Sequence, residues 1–152
     1  MTEQQKRVLV VDDDADIRNV IGALLAGKGL AVDFASDGAA ALDLIQQRNY
    51  VVVLLDLLMH GTDGFAVLSR LGQDGMPNPV VLVLTGADRS VVDRLNPSRI
   101  HGIVRKPFDP DDLAALVVAC AEIKSKSAFE TMAIATMIAG GPILELLNRL
   151  AK

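Results

Sequence analysis

VLVVDDD, residues 8–14, sets four apolar positions directly against three aspartates. A run this short and this rich in β-branched residues cannot form a helix, and its lack of alternation marks a strand buried on both faces of a parallel sheet. The same grammar returns twice: Val51–Leu55 runs into Asp56, and Val80–Leu84 runs into Thr85. Ala31–Ala35 and Ile100–Val104 are weaker strand candidates. Helical patterns lie between them. Asp16–Lys28 places Ile17, Val20, Ile21, Leu24 and Leu25 on one face, and Gly29 is a stop signal. Asp37–Gln47, Gly64–Leu71, a short Ser90–Leu95 halted by Asn96-Pro97, and a long Asp109–Ile123 follow. Strand and helix alternate five times. The expected fold is therefore α/β, a doubly wound five-stranded parallel sheet in the flavodoxin-like order 2-1-3-4-5, with right-handed crossovers.

The chain of 152 residues is one domain's worth with a short appendage. Residues 1–124 form the repeat and carry 12 Lys+Arg against 17 Asp+Glu, whereas residues 125–152 carry 3 against 2. This tail reads as two helices, Ala128–Ala139 and Pro142–Ala151, broken at Gly140-Gly141. Ile143, Leu144, Leu147 and Leu150 form an apolar stripe that a sheet already covered on both faces cannot bury, so the tail is expected to make a protein contact, a homodimer first of all. Hydrophobic residues make up 51% of the chain, which excludes disorder for its bulk. A single cysteine, Cys120, excludes an internal disulfide and fits a reducing, cytoplasmic setting. Net charge is −4, Trp is absent and no basic block appears in the linear sequence, so no nucleic-acid partner is expected. The start MTEQQKR lacks a signal peptide's apolar region, and no uncharged stretch is long enough for a membrane span.

In a parallel sheet all strand C-termini share one edge. Asp12, Asp13, Asp56, Thr85 and Lys106 therefore converge, although they spread over nearly a hundred positions. Clustered carboxylates repel one another unless a cation joins them, and a hard divalent ion such as Mg²⁺ answers that need while keeping waters and bridging to phosphoryl oxygens. A strand-end aspartate, two further acids, a hydroxyl and an ammonium match what phosphoryl transfer to a carboxylate demands.

Four motifs in order, V-L-V-V-D-D-D, L-L-D-L-L-M-H-G-T-D-G, V-L-T-G and V-R-K-P-F, make residues 6–123 resemble the receiver domain of two-component response regulators. The resemblance implies that Asp56 is the phosphoacceptor. It implies that Asp13 and Asp56 ligate Mg²⁺ with the backbone carbonyl of Leu58, and that Asp12 acts mostly through water. It also implies that Thr85 hydrogen-bonds the acyl phosphate, that Lys106 pairs with it, and that a cis bond precedes Pro107. The implied partner is a sensor histidine kinase or a histidine phosphotransfer protein. Ile103 stands where the family usually has an aromatic switch residue, and His60 stands where a Pro usually follows Met59. The resemblance implies that the side chains orienting the hydrolytic water stand at Leu58 and Ala87, neither able to hydrogen-bond water, so a long-lived acyl phosphate is expected.

Competing readings are weaker. A haloacid dehalogenase-type phosphohydrolase wants D-x-D-x-[T/V], which Asp12-Asp13-Asp14-Ala15-Asp16 does not complete. An unphosphorylated receiver-like scaffold would not need all five active positions. An EF-hand loop beginning at Asp12 fails at Ile17 and Ala23. Asp14 and Asp16 are read as caps of the first helix, Cys120 as core, and His101 as an exposed residue at the start of the fifth strand.

Overall fold

The structure is a computed structural model that describes residues 5–59, 63–86 and 89–124. The proposed helical tail 125–152, His60 and Ala87 lie outside the described residues. Five parallel strands, β1 (Arg7–Val11), β2 (Ala31–Ala35), β3 (Val52–Asp56), β4 (Val80–Thr85) and β5 (Gly102–Arg105), form one sheet in the order β2-β1-β3-β4-β5. The connecting helices are α1 (Ala15–Gly27), α2 (Gly38–Gln47), α3 (Gly64–Leu71), the single turn α4 (Arg89–Val92) and α5 (Pro110–Lys124).

The solid apolar runs are central strands for the reason their composition implies. Odd and even residues of one strand enter different cores. Val8 and Val10 pack with Leu25, Leu82 and Val117 under α1 and α5, while Leu9 and Val11 pack with Ile45, Leu55 and Val67 under α2 and α3. Every residue of β3 and β4 is buried. The edge strands β2 and β5 are only partly covered, which explains their weaker apolar signal.

Caps set most helix boundaries. Asp14 is the N-cap of α1, accepting from the N–H groups of Asp16 and Ile17, and Asp37 and Asp63 do the same for α2 and α3. Asp16 is thus not a cap; it lies in the first turn of α1, where its charge faces the positive end of the helix dipole. Gly29, at φ +86°, takes the left-handed turn that ends the helix. Val20, assigned to the apolar face of α1, is instead 49% exposed, because Ile21 and Leu25 already fill the contact with the sheet.

Two expectations for the segment before β5 are corrected. The helix foreseen over Ser90–Leu95 is only the turn Arg89–Val92; Asn96 then caps a short 3-10 turn at Pro97–Arg99, where proline supplies the first position. His101 is not an exposed bystander. It is half-buried, and its Nδ1 accepts the Val81 N–H at 2.9 Å while its own N–H donates to the Val81 carbonyl at 2.8 Å, extending the β4–β5 ladder through a side chain. Cys120 is buried in the α5 core as expected, and burial pushes its thiol up to about 12. Among the described residues, no helix is long and apolar enough to cross a membrane.

Candidate functional site at the C-terminal edge of the sheet

Register brings the site together. In the β1–β3 pair Val11 lies opposite Leu55, so the next residues, Asp12 and Asp56, emerge side by side at the switch point between β1 and β3. Thr85 ends β4 beside them, opposite Arg105 of β5, and Lys106 follows at once. Asp12, Asp56 and Thr85 are the buried polar residues among those described, at 0%, 5% and 0% exposure. A hydrophobic sheet tolerates such groups only when they are paired, since an unpaired buried polar group is costly.

The pairing is uneven. Asp12 is engaged at every polar atom: its N–H donates to the Ala35 carbonyl at 3.1 Å, and its own carbonyl accepts from Arg18 at 2.6 Å. Its Oδ1 accepts the Asp14 N–H at 2.9 Å, and its Oδ2 accepts from Lys106 Nζ at 2.7 Å. Asp56 has the Leu58 N–H on Oδ1 at 3.2 Å and the longer Lys106 contact, 3.3 Å, on Oδ2. Asp13 is exposed at the rim, and carboxylate oxygens of Asp12, Asp13 and Asp56 all lie within 4.8 Å of one another. The peptide bond from Lys106 to Pro107 is cis, and the Lys106 N–H donates to the Thr85 carbonyl at 2.9 Å.

Electrostatics follow from one ammonium serving two buried carboxylates. Burial raises the pKa of Asp56 above the ordinary carboxylate value and the Asp12 charge adds to this, against the opposing pull of Lys106 and the Leu58 N–H. Burial alone would lower Lys106, but its hydrogen bond to Asp12 and the charges of Asp56 and Asp12 outweigh it, so its pKa is raised. The ammonium is therefore a fixed cation. Three carboxylates gather about the Lys106 ammonium and present hard oxygen donors, with one member open to solvent. That donor set fits a small hard divalent cation, which prefers oxygen ligands and retains water.

All five residues singled out from the sequence, Asp12, Asp13, Asp56, Thr85 and Lys106, sit at this edge. Leu58, the sixth, projects 55% exposed beside them. Two contributors were missed. Arg18 ties the first turns of α1 to the Asp12 backbone, and the only signal for it was a cation one helical turn past the Asp14 cap. Gly64 starts α3 hard against β3: a Cβ there would meet the Asp56 carbonyl and lie 2.7 Å from the Leu57 Cα, so only glycine lets the helix seat behind the acidic strand end. Its signal was the Asp63-Gly64 pair that closes the second motif.

Comparison with known proteins agrees with this geometry. Residues 8–118 match the family model of the response regulator receiver domain. The transcriptional regulatory protein DltR of Streptococcus agalactiae (strain NEM316) is 35% identical over 113 residues, covering 73% of this chain and 50% of DltR. The probable transcriptional regulator ycf27 of Guillardia theta is 34% identical over 131 residues, covering 85% of this chain and 50% of that protein. The chain thus spans half the length of these two relatives. Both are named for transcriptional regulation, so the expectation of no nucleic-acid partner draws no support from them. The crystal structure of response regulator protein TrrA from Thermotoga maritima, in complex with Mg²⁺–BeF, superposes with a TM-score of 0.67 at 29% identity over 76% of this chain and 99% of TrrA. With most of its length matching that family, and the acidic edge assembled on the matching strands, the chain belongs to the response regulator receiver domains.

Proposed function

We propose that Asp56 accepts a phosphoryl group from a phosphohistidine of a sensor kinase or phosphotransfer protein, and that the chain signals through protein contacts made in that state. The observation that carries the assignment is the unequal pairing of two neighbouring buried carboxylates: Asp12 is held at every polar atom, whereas Asp56 keeps a weaker, longer contact with Lys106 and has its pKa raised. Asp12 is thereby the fixed partner and Asp56, with the longer contacts of 3.2 and 3.3 Å, the carboxylate more readily released to react.

In this reading an Asp56 carboxylate oxygen attacks phosphorus, the P–N bond to the donor imidazole breaks, and the imidazole leaves with the bonding electron pair. Lys106 gives up its contact with Asp56 and donates to a phosphoryl oxygen, and the Thr85 hydroxyl donates to another. Asp12, Asp13, Asp56 and the Leu58 backbone carbonyl would hold Mg²⁺, which would neutralise charge on the transferring group. Residues 1–124 are the receiver unit, and its role is signalling rather than turnover of a metabolite.

The test is intact mass after incubation with acetyl phosphate and Mg²⁺. One phosphoryl adduct is expected on the native chain and none on Asp56→Asn; an adduct that survives the substitution overturns the assignment. For residues 125–152 we propose self-association, from the apolar stripe of their sequence. Truncation after Lys124 is expected to shift the solution mass from dimer toward monomer, and a full-length chain that is monomeric at tens of micromolar, roughly the range of weak interfaces, refutes it.

A further inference from the structure

At the opposite edge of the sheet, the N-terminal ends of β1 and β3 frame an open cleft of about 620 Å³. Among the described residues Val51 is its one apolar lining residue; the other six are Gln5, Lys6, Arg7, Gln47, Arg48 and Asn49. Three cations and three amides meet there, with no carboxylate in the lining among the described residues, on a chain whose net charge is −4. We propose that this cleft binds a small oligophosphate anion.

The cations are oriented from behind. Arg7 donates to Asp33 Oδ1 at 2.9 Å, and Arg48 donates to Oδ2 at 3.3 Å. Tyr50, buried at 7% exposure, donates its hydroxyl to the same Oδ2 at 2.7 Å and holds the carboxylate in place. Each guanidinium spends one nitrogen, NH1, on Asp33, and its other N–H groups stay available to a further acceptor. Lys6 is held in the same manner by Glu122 at 3.0 Å, with two further ammonium protons to donate. An acid that fixes an arginine while leaving its remaining donors directed elsewhere is how a phosphate-binding fork is preorganised.

Pinning α2 to β1 and β2 needs only Arg7, Arg48, Tyr50 and Asp33. It does not call for Lys6, nor for a cleft of this volume lined by amides. The volume exceeds what one phosphate fills and falls within the range of small-molecule sites. Among the described residues no aromatic side chain lines it for a nucleobase to stack on, and a chain of phosphates uses the donors best. Asp33, Glu122 and the carbonyl end of α2 temper the field, so affinity rests on direct hydrogen bonds and is modest and salt-sensitive.

The experiment is a titration of the full ¹⁵N-labelled chain with sodium tripolyphosphate in EDTA buffer, followed by amide shifts. Saturable shifts at residues 5–7 and 47–51 are expected, with a dissociation constant on the order of 1 mM or below. Arg48→Gln and Lys6→Gln are each expected to weaken binding about tenfold, while Lys6→Arg retains it and Asp56→Asn leaves it unchanged. Arg48 is half exposed, and both glutamine variants keep a polar, hydrogen-bonding end without the charge; their spectra report whether the fold is kept. Absence of shifts at these amides, binding that is indifferent to both glutamine variants, or binding lost with Asp56→Asn overturns the proposal. ATP is expected to bind within about threefold of tripolyphosphate; much tighter binding of ATP overturns the choice of oligophosphate in favour of a nucleotide.

Discussion

Asp33 and Asp56 occupy strands of one sheet and differ in charge balance. Asp33 meets two guanidiniums and a tyrosine hydroxyl, so both its oxygens are bonded by donors that outnumber it. Asp56 shares a single ammonium with Asp12 and lies beside a third carboxylate. Burial together with the Asp33 bond and charge raises the Tyr50 hydroxyl far above its ordinary value, so this phenol remains a donor across the working pH range. The first arrangement is closed and stabilises the native state. The second gathers three carboxylates about one ammonium, and a divalent cation would add positive charge to it. Carboxylate function is thus set less by burial than by whether the surrounding donors already satisfy the charge.

The comparison breaks most visibly at phosphorylation. Asp56→Asn is expected to remove all acyl phosphate formation from acetyl phosphate, whereas Asp33→Asn is expected to leave its yield unchanged; intact mass separates the two. Stability should then invert the order. Asp33→Ala strands the Tyr50 hydroxyl and two guanidiniums, and is expected to cost about 2 kcal/mol in urea unfolding. Asp56→Asn is expected to stabilise the metal-free chain.

The pH dependence of that gain has a definite sign. The folded Asp56 binds its proton more tightly than the unfolded chain does, because its pKa is raised. Metal-free stability therefore falls as pH rises from about 3.9, the ordinary Asp value, through the raised folded value. In EDTA the advantage of Asp56→Asn should grow over that rise and then level off. Mg²⁺ should erase it by stabilising the native chain alone, and urea midpoints against pH, with and without Mg²⁺, measure both effects.

Two smaller effects sharpen the contrast. Leu58→Asn gives the site a side chain that can hydrogen-bond the hydrolytic water, and is expected to speed acyl phosphate decay on the order of tenfold, read by loss of the adduct mass with time. Tyr50→Phe removes one of the three donors to Asp33 and is expected to cost about 1 kcal/mol, with no change in phosphorylation. A larger loss would mean that the network cannot rearrange around the missing hydroxyl.

Sequence alone determined the sheet and its acidic edge. Strands covered on both faces must be apolar throughout, so Val8–Val11, Val51–Leu55 and Val80–Leu84 announce themselves, and parallel topology then sends Asp12, Asp56, Thr85 and Lys106 to one edge whatever the details of packing. Only tertiary structure decided what depends on groups from distant segments. The one-turn α4 could not be read from an apolar pattern that serves a longer helix equally well. His101 was misjudged because its partner, the Val81 N–H, is a backbone group with no sequence signature. Arg18 reaches a carbonyl for the same reason. Arg7, Asp33 and the Arg48–Tyr50 stretch come from three separate segments, so no linear basic block marked their network or the cleft beside it. Hydrophobic periodicity is a local property that each strand carries by itself, whereas charge balance is a sum over neighbours that exists only once the chain has folded.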